Sequence, residues 1–85
     1  MERPAPLDAS TDEGSPDERL RRFGASVRAS RRGLGLSQEG LAAAAGLDQT
    51  YVSGIETGRR NPTLRVVFRL ADALGRPPSE LLAGV

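Results

Sequence analysis

The stretch SQEGLAAAAGLDQTYVSGIETG, residues 37–58, decides the fold. Ser37 is a residue type that caps helix N-termini, and behind it Leu41, Ala42 and Ala45 recur at a spacing that places them on one helical face. Gly46 takes the left-handed conformation without steric penalty and so ends that helix. Only Leu47 separates it from Asp48, a second capping residue. Asp48 opens another helix, with Val52 and Ile55 turned inward, that runs until Gly58. The spacing therefore predicts two short helices joined by a tight turn. Gly40, inside the first of them, costs roughly 0.5–1 kcal/mol relative to Ala and does not break it.

The flanking sequence extends the helical pattern in both directions. Upstream, Ser15-Pro16-Asp17-Glu18 combines an N-cap, a proline at the first helical position and a glutamate three residues after the cap. From there Leu20, Phe23, Gly24 and Val27 follow at helical spacing, with Arg21, Arg22 and Arg28 on other faces, until Gly33 and Gly35 interrupt. Downstream, Arg59-Arg60-Asn61-Pro62 reads as a loop leading to Thr63. This residue caps a fourth helix with the longest apolar stripe, Leu64, Val67, Phe68, Ala71 and Leu74, and Gly75 stops it. Pro77-Pro78-Ser79-Glu80 starts a fifth helix that carries Leu81 and Leu82. The expected fold class is all-α, with five helices. Residues 1–14 mix Pro, Ala, Ser and acids without apolar periodicity and are expected to form a disordered acidic tail ahead of a single domain at residues 15–85.

Composition narrows the functional classes. The chain has 85 residues and no Cys, so helix packing or self-association must supply stability that disulfides or a thiolate metal site do not. With His also absent, no phosphate-cradling glycine loop and no pair of acids on one helical face, neither a catalytic triad nor a metal site is expected. An enzyme is therefore disfavoured, and no cofactor is expected. No apolar run approaches the roughly 20 residues that span a bilayer, and the N-terminus lacks the form of a secretory signal, so a soluble, cytoplasmic location is expected. Residues 1–18 hold six acids against Arg3, a net of −5, whereas residues 19–85 hold eleven Arg against five acids, a net of +6. A basic body with an acidic tail suits a nucleic-acid binder, although charge alone identifies no particular polyanion and is equally that of an ordinary solvated surface.

An eight-residue helix, a glycine-containing turn and a second short helix with polar residues at its start describe the DNA-binding bihelical unit. The stretches LSQEGLAAAAGL, TYVSGIETGRRNPTL and LADALG resemble the phage-repressor-like helix-turn-helix domains, the Cro/CI or XRE family, over residues 19 to about 82. The string LDQTYVSGIETGRRNP is most similar to controller proteins of restriction-modification systems. The resemblance implies a compact, lambda-repressor-like five-helix domain that regulates transcription as a homodimer on a short palindromic operator in double-stranded DNA.

Within that frame the helix beginning at Gln49 points into the major groove. Gln49, Thr50 and Ser53 lie within one turn and are the expected base readers, since Gln bonds the adenine edge and Thr offers a hydroxyl and a methyl. Tyr51 has a hydroxyl and a flat apolar face suited to the sugar-phosphate backbone, and the resemblance puts it at the DNA surface. Gln38 matches the family's glutamine that contacts phosphate and braces the recognition helix. Arg59, Arg60 and Asn61 occupy the loop that approaches the backbone in the family. Arg60 has a second option, entry into a groove, and both arginines also fit ordinary loop charge. Arg28 and Arg32 either reach flanking phosphates or are solvated helix charge. An acid such as Glu56 repels phosphate unless neutralised. The resemblance pairs it with Arg31, making both structural. Gly54 stands where many phage repressors carry a further base reader, so more of the specificity is expected from DNA shape.

Two half-sites about one DNA turn apart require two copies of the helix. In the family the C-terminal helices often form that interface, which here assigns the exposed faces of the fourth helix and Leu81 and Leu82. The simpler alternative is that this leucine pair closes the monomer core. A different class, an antitoxin-type protein that binds a protein partner through the acidic N-terminal tail and autoregulates its operon, is the alternative reading.

Overall fold

The computed structural model describes residues 16–85. The expected tail at residues 1–14 and the Ser15 cap lie outside them. The described chain is built from five helices: α1 (Pro16–Gly33), α2 (Gln38–Ala45), α3 (Gln49–Glu56), α4 (Leu64–Leu74) and α5 (Pro78–Leu81). Three of the starts are set by side-chain caps. Ser37 Oγ accepts from the Gly40 amide at 2.9 Å, Asp48 Oδ2 from the Thr50 amide at 2.9 Å, and Thr63 Oγ1 from the Val66 amide at 3.2 Å. Each removes one of the unpaired donors that a helix leaves at its N-terminus, a contribution of about 1 kcal/mol. Gly46 ends α2 at φ +71°, and the Leu47 amide then donates to the Ala42 carbonyl at 2.8 Å, which turns the chain sharply into α3.

The core is assembled from one face of each helix. Phe23 and Val27 of α1, Leu41 of α2, Val52 and Ile55 of α3, Val67, Leu70 and Leu74 of α4, and Leu81 of α5 are buried together, with Ala42, Ala45 and Ala71 filling between them. Burial of each large side chain contributes about 1.5–3 kcal/mol. α3 packs on both α1 and α2, α4 packs on α2, and α5 packs on α4 and α1. The approach of α1 to α3 depends on Gly24: a Cβ built there falls 2.2 Å from the Ile55 carbonyl oxygen and 2.6 Å from that of Glu56.

Two expectations about apolar residues are corrected. In α4 the buried stripe is Val67, Leu70, Ala71 and Leu74, whereas Leu64 is 66% and Phe68 49% exposed. Leu81 is fully buried in the monomer core, so of the two leucines expected at a dimer interface only Leu82, 43% exposed, presents surface to a partner.

Candidate nucleic-acid interface

α2, the turn Gly46-Leu47-Asp48 and α3 form a helix-turn-helix whose second helix has two distinct sides. Val52, Ile55 and Glu56 are buried beneath it. Gln49 and Thr50 are exposed at its start, with Ser53 and Tyr51 half-buried beside them. The candidate base readers thus share one short, polar, outward surface. Tyr51 is partly buried and packs against the core, which fixes its position at the flank of that surface.

The underside of α3 is anchored by charge as well as by apolar burial. Arg31 Nε donates to Glu56 Oε2 at 2.7 Å and Arg31 Nη2 to Glu56 Oε1 at 3.0 Å. The third guanidinium nitrogen, Nη1, donates to the Leu36 carbonyl at 2.7 Å. Burial pushes the Glu56 carboxyl up, but hydrogen bonds from Arg31 and Gln38 and the positive charges of Arg31 and Arg28 outweigh it and hold it below the ordinary carboxylate range. The hydrogen bond to Glu56, partly offset by burial, raises Arg31 in turn. Both groups are therefore charged, and α3 is fixed to the end of α1 through a neutralised pair that places no free anion at the surface.

Gln38, the first residue of α2, donates through Nε2 to Glu56 Oε1 at 3.0 Å. Its bracing contact thus goes to the C-terminal end of α3, not to the polar residues at its start. A sequence pattern alone does not reveal this, because the two residues are 18 positions apart.

The loop after α3 folds back onto it. The Arg59 and Arg60 amides both donate to the Gly54 carbonyl, at 2.8 and 3.2 Å, and the Arg60 guanidinium carbon lies 6.0 Å from the centre of the Tyr51 ring. Arg59 and Arg60 are exposed. Asn61 is placed differently: with Pro62 it lines a shallow apolar groove formed with Arg19, Leu20, Phe23, Leu64, Val67, Leu82 and Val85. The structure therefore brings Arg60 to the outward surface of α3 and Asn61 to the edge of a separate surface near α5. The sequence signal for that groove is the eight apolar residues of α4, more than one face can bury. Among the described residues no helix is long and apolar enough to cross a membrane, and no group of three or more acids is arranged to hold a metal ion.

Comparison with known proteins matches residues 27–81 to the family model HTH_3, described as helix-turn-helix. An uncharacterised HTH-type transcriptional regulator of Sinorhizobium fredii is 48% identical over 52 residues, which cover 61% of this chain and 68% of that protein. The control protein C.BamHI of Bacillus amyloliquefaciens is 43% identical over 61 residues, 71% of this chain and 75% of the relative. Among solved structures, the restriction-modification controller protein C.AhdI of Aeromonas hydrophila superposes with a TM-score of 0.72 at 48% identity, covering 73% of this chain and 94% of C.AhdI.

Proposed function

The chain belongs to the helix-turn-helix family HTH_3, and from that premise we propose that this transcriptional regulator, related to restriction-modification controller proteins, acts as a cytoplasmic homodimer on a short, roughly palindromic operator. The observation that carries the reading is the two-sided α3: its polar residues Gln49, Thr50 and Ser53 face outward, while Val52, Ile55 and Glu56 are locked beneath. In this arrangement Gln49, Thr50 and Ser53 meet base edges in the major groove. Gln38, Tyr51, Arg59 and Arg60 contact the sugar-phosphate backbone and set the register, whereas Asn61, expected with them, lines the separate groove near α5.

Support for two copies comes from surface chemistry. Leu64 and Leu82 are exposed at the rim of the apolar groove, and Phe68 is exposed one helical turn beyond Leu64. An apolar surface contributed by α4 and α5 on one protomer fits the same surface of a second in an isologous contact. Selection of binding sites from random duplexes tests the whole reading: enrichment of two related half-sites about one DNA turn apart is expected, and recovery of no enriched motif overturns it.

A further inference from the structure

Two glycines near the end of α3 lie beneath arginine stems. A Cβ built on Gly54 meets Cγ of Arg60, from the loop that follows the helix. One built on Gly58 meets Cγ of Arg21 and falls 3.0 Å from its Cα and its backbone nitrogen, so α1 itself crosses over the end of α3. Gly58 is required there twice, for its φ of +80° and for the room it leaves. Thr57, just before it, is exposed and lies about 20° around the helix axis from Thr50. Arg21 is thus placed where the outward polar side of α3 runs out.

The arginine has company on its own helix. At about 100° of rotation per residue, Arg28 and Arg32 fall within about 20° of Arg21 around the α1 axis, so the three share one stripe. That stripe borders α3: Arg21 touches Gly58, and the charge of Arg28 helps to hold the Glu56 carboxyl low. All three arginines are exposed, and none forms an ion pair or a side-chain hydrogen bond with another described residue. Arg22, Arg31 and Arg76, by contrast, are each paired with a glutamate.

We propose that Arg21 and Arg28 form a second backbone-binding strip, which grips phosphates just outside the half-site read by α3 and lengthens the DNA covered by each protomer. The proposal rests on the DNA-binding reading above and extends it from α3 and its loop to α1. Seven residues of helix separate the two guanidinium groups by about 10 Å along the axis, the rise of about three base pairs. Ordinary solvated charge needs no ordered stem. The stem of Arg21 is already laid against Gly58, so less side-chain freedom is lost when its guanidinium meets a phosphate.

The test uses the full chain and the variants Arg21→Gln, Arg28→Gln and the two combined, since glutamine keeps part of the stem and removes the charge. Binding constants are measured over a range of salt on the selected operator in two duplexes, one ending at the outer edges of the half-sites and one with about six further base pairs on each side. The wild type should bind the longer duplex at least tenfold more tightly, and the combined variant less than twofold. On the longer duplex the salt slope of the combined variant should fall by about 0.9 for each phosphate given up, with the selected motif unchanged. Arg21→Gln alters a contact between helices, so its thermal unfolding is compared with that of the wild type. Where it is destabilised, the exposed Arg28→Gln carries the test, with a loss of at least threefold confined to the longer duplex. A wild type indifferent to the added base pairs, a combined variant that keeps the length dependence, or equal losses on both duplexes overturns the strip and leaves the motif standing. Failure of the wild type to select any motif instead removes the DNA-binding reading, and this proposal with it.

Discussion

Arg31 grips Glu56 side-on, Nε to Oε2 at 2.7 Å and Nη2 to Oε1 at 3.0 Å, and its remaining nitrogen holds the Leu36 carbonyl. One guanidinium thereby joins the end of α1, the entry to α2 and the last residue of α3. The side chains are 10% and 2% exposed, so removing either partner leaves a buried charge without compensation. Glu56→Ala should cost about 3–5 kcal/mol in urea unfolding, whereas the apolar double replacement Arg31→Met with Glu56→Leu should recover most of that loss. A loss under about 1 kcal/mol for Glu56→Ala would show that the pair is solvated in solution.

The same pair sets an acid limit. The Glu56 carboxyl is held below its ordinary range in the folded protein, so its stabilising contribution is complete above the unfolded value of about 4.3 and is lost as the pH falls from there toward the lowered folded value. Stability measured between about pH 6 and pH 3 should therefore fall more steeply for the wild type than for Glu56→Gln, which has no carboxyl to protonate. Parallel curves would assign the acid transition to other carboxylates.

Gly24 and Gly33 are both in α1, and the space around them differs completely. A methyl group at Gly24 meets two backbone carbonyl oxygens of α3, neither of which can move without shifting the helix. At Gly33 nothing lies within 4 Å. Gly24→Ala should lower stability by about 1–3 kcal/mol or more despite the better helix propensity of alanine. Gly33→Ala should be neutral or slightly stabilising. Thermal unfolding of the two variants side by side checks this, and a stabilised Gly24→Ala would mean that α1 sits farther from α3.

Local chemistry explains which features were legible in the sequence. The caps Ser37, Asp48 and Thr63 and the left-handed Gly46 act over four residues or fewer, and each predicts its own helix boundary. The inward Val52 and Ile55 follow from helical period alone. The face of α4 does not, because Leu64, Val67, Phe68, Leu70, Ala71 and Leu74 surround much of the helix and the positions of α1, α2 and α5 decide which are covered. Leu81 and Leu82 are adjacent, and α5 has four residues, too few for a period to separate the buried one from the exposed one. At the candidate site the outward polar residues of α3 were readable. The Gln38 bond to Glu56 and the Arg60 stem over Gly54 depend on tertiary approach and on the path of the loop, which no local pattern encodes.

The exposed apolar surface yields the last prediction. Phe68 and Leu82 are 49% and 43% exposed, so a charge at either position costs the monomer little, while a charge buried between two protomers without a partner is strongly disfavoured. Phe68→Glu and Leu82→Asp should each weaken self-association at least tenfold by sedimentation equilibrium and leave the helical content unchanged. Leu81→Ala should do the reverse, costing about 2–5 kcal/mol of monomer stability, because Leu81 is fully buried within one chain. The loss of association should carry over to DNA. A duplex with two half-sites should lose affinity in Phe68→Glu, while a duplex with one half-site should be bound as by the wild type, since only the paired sites draw on the second copy. Unchanged sedimentation in both charged variants would place the dimer contact on another surface and leave the α4–α5 groove without a partner.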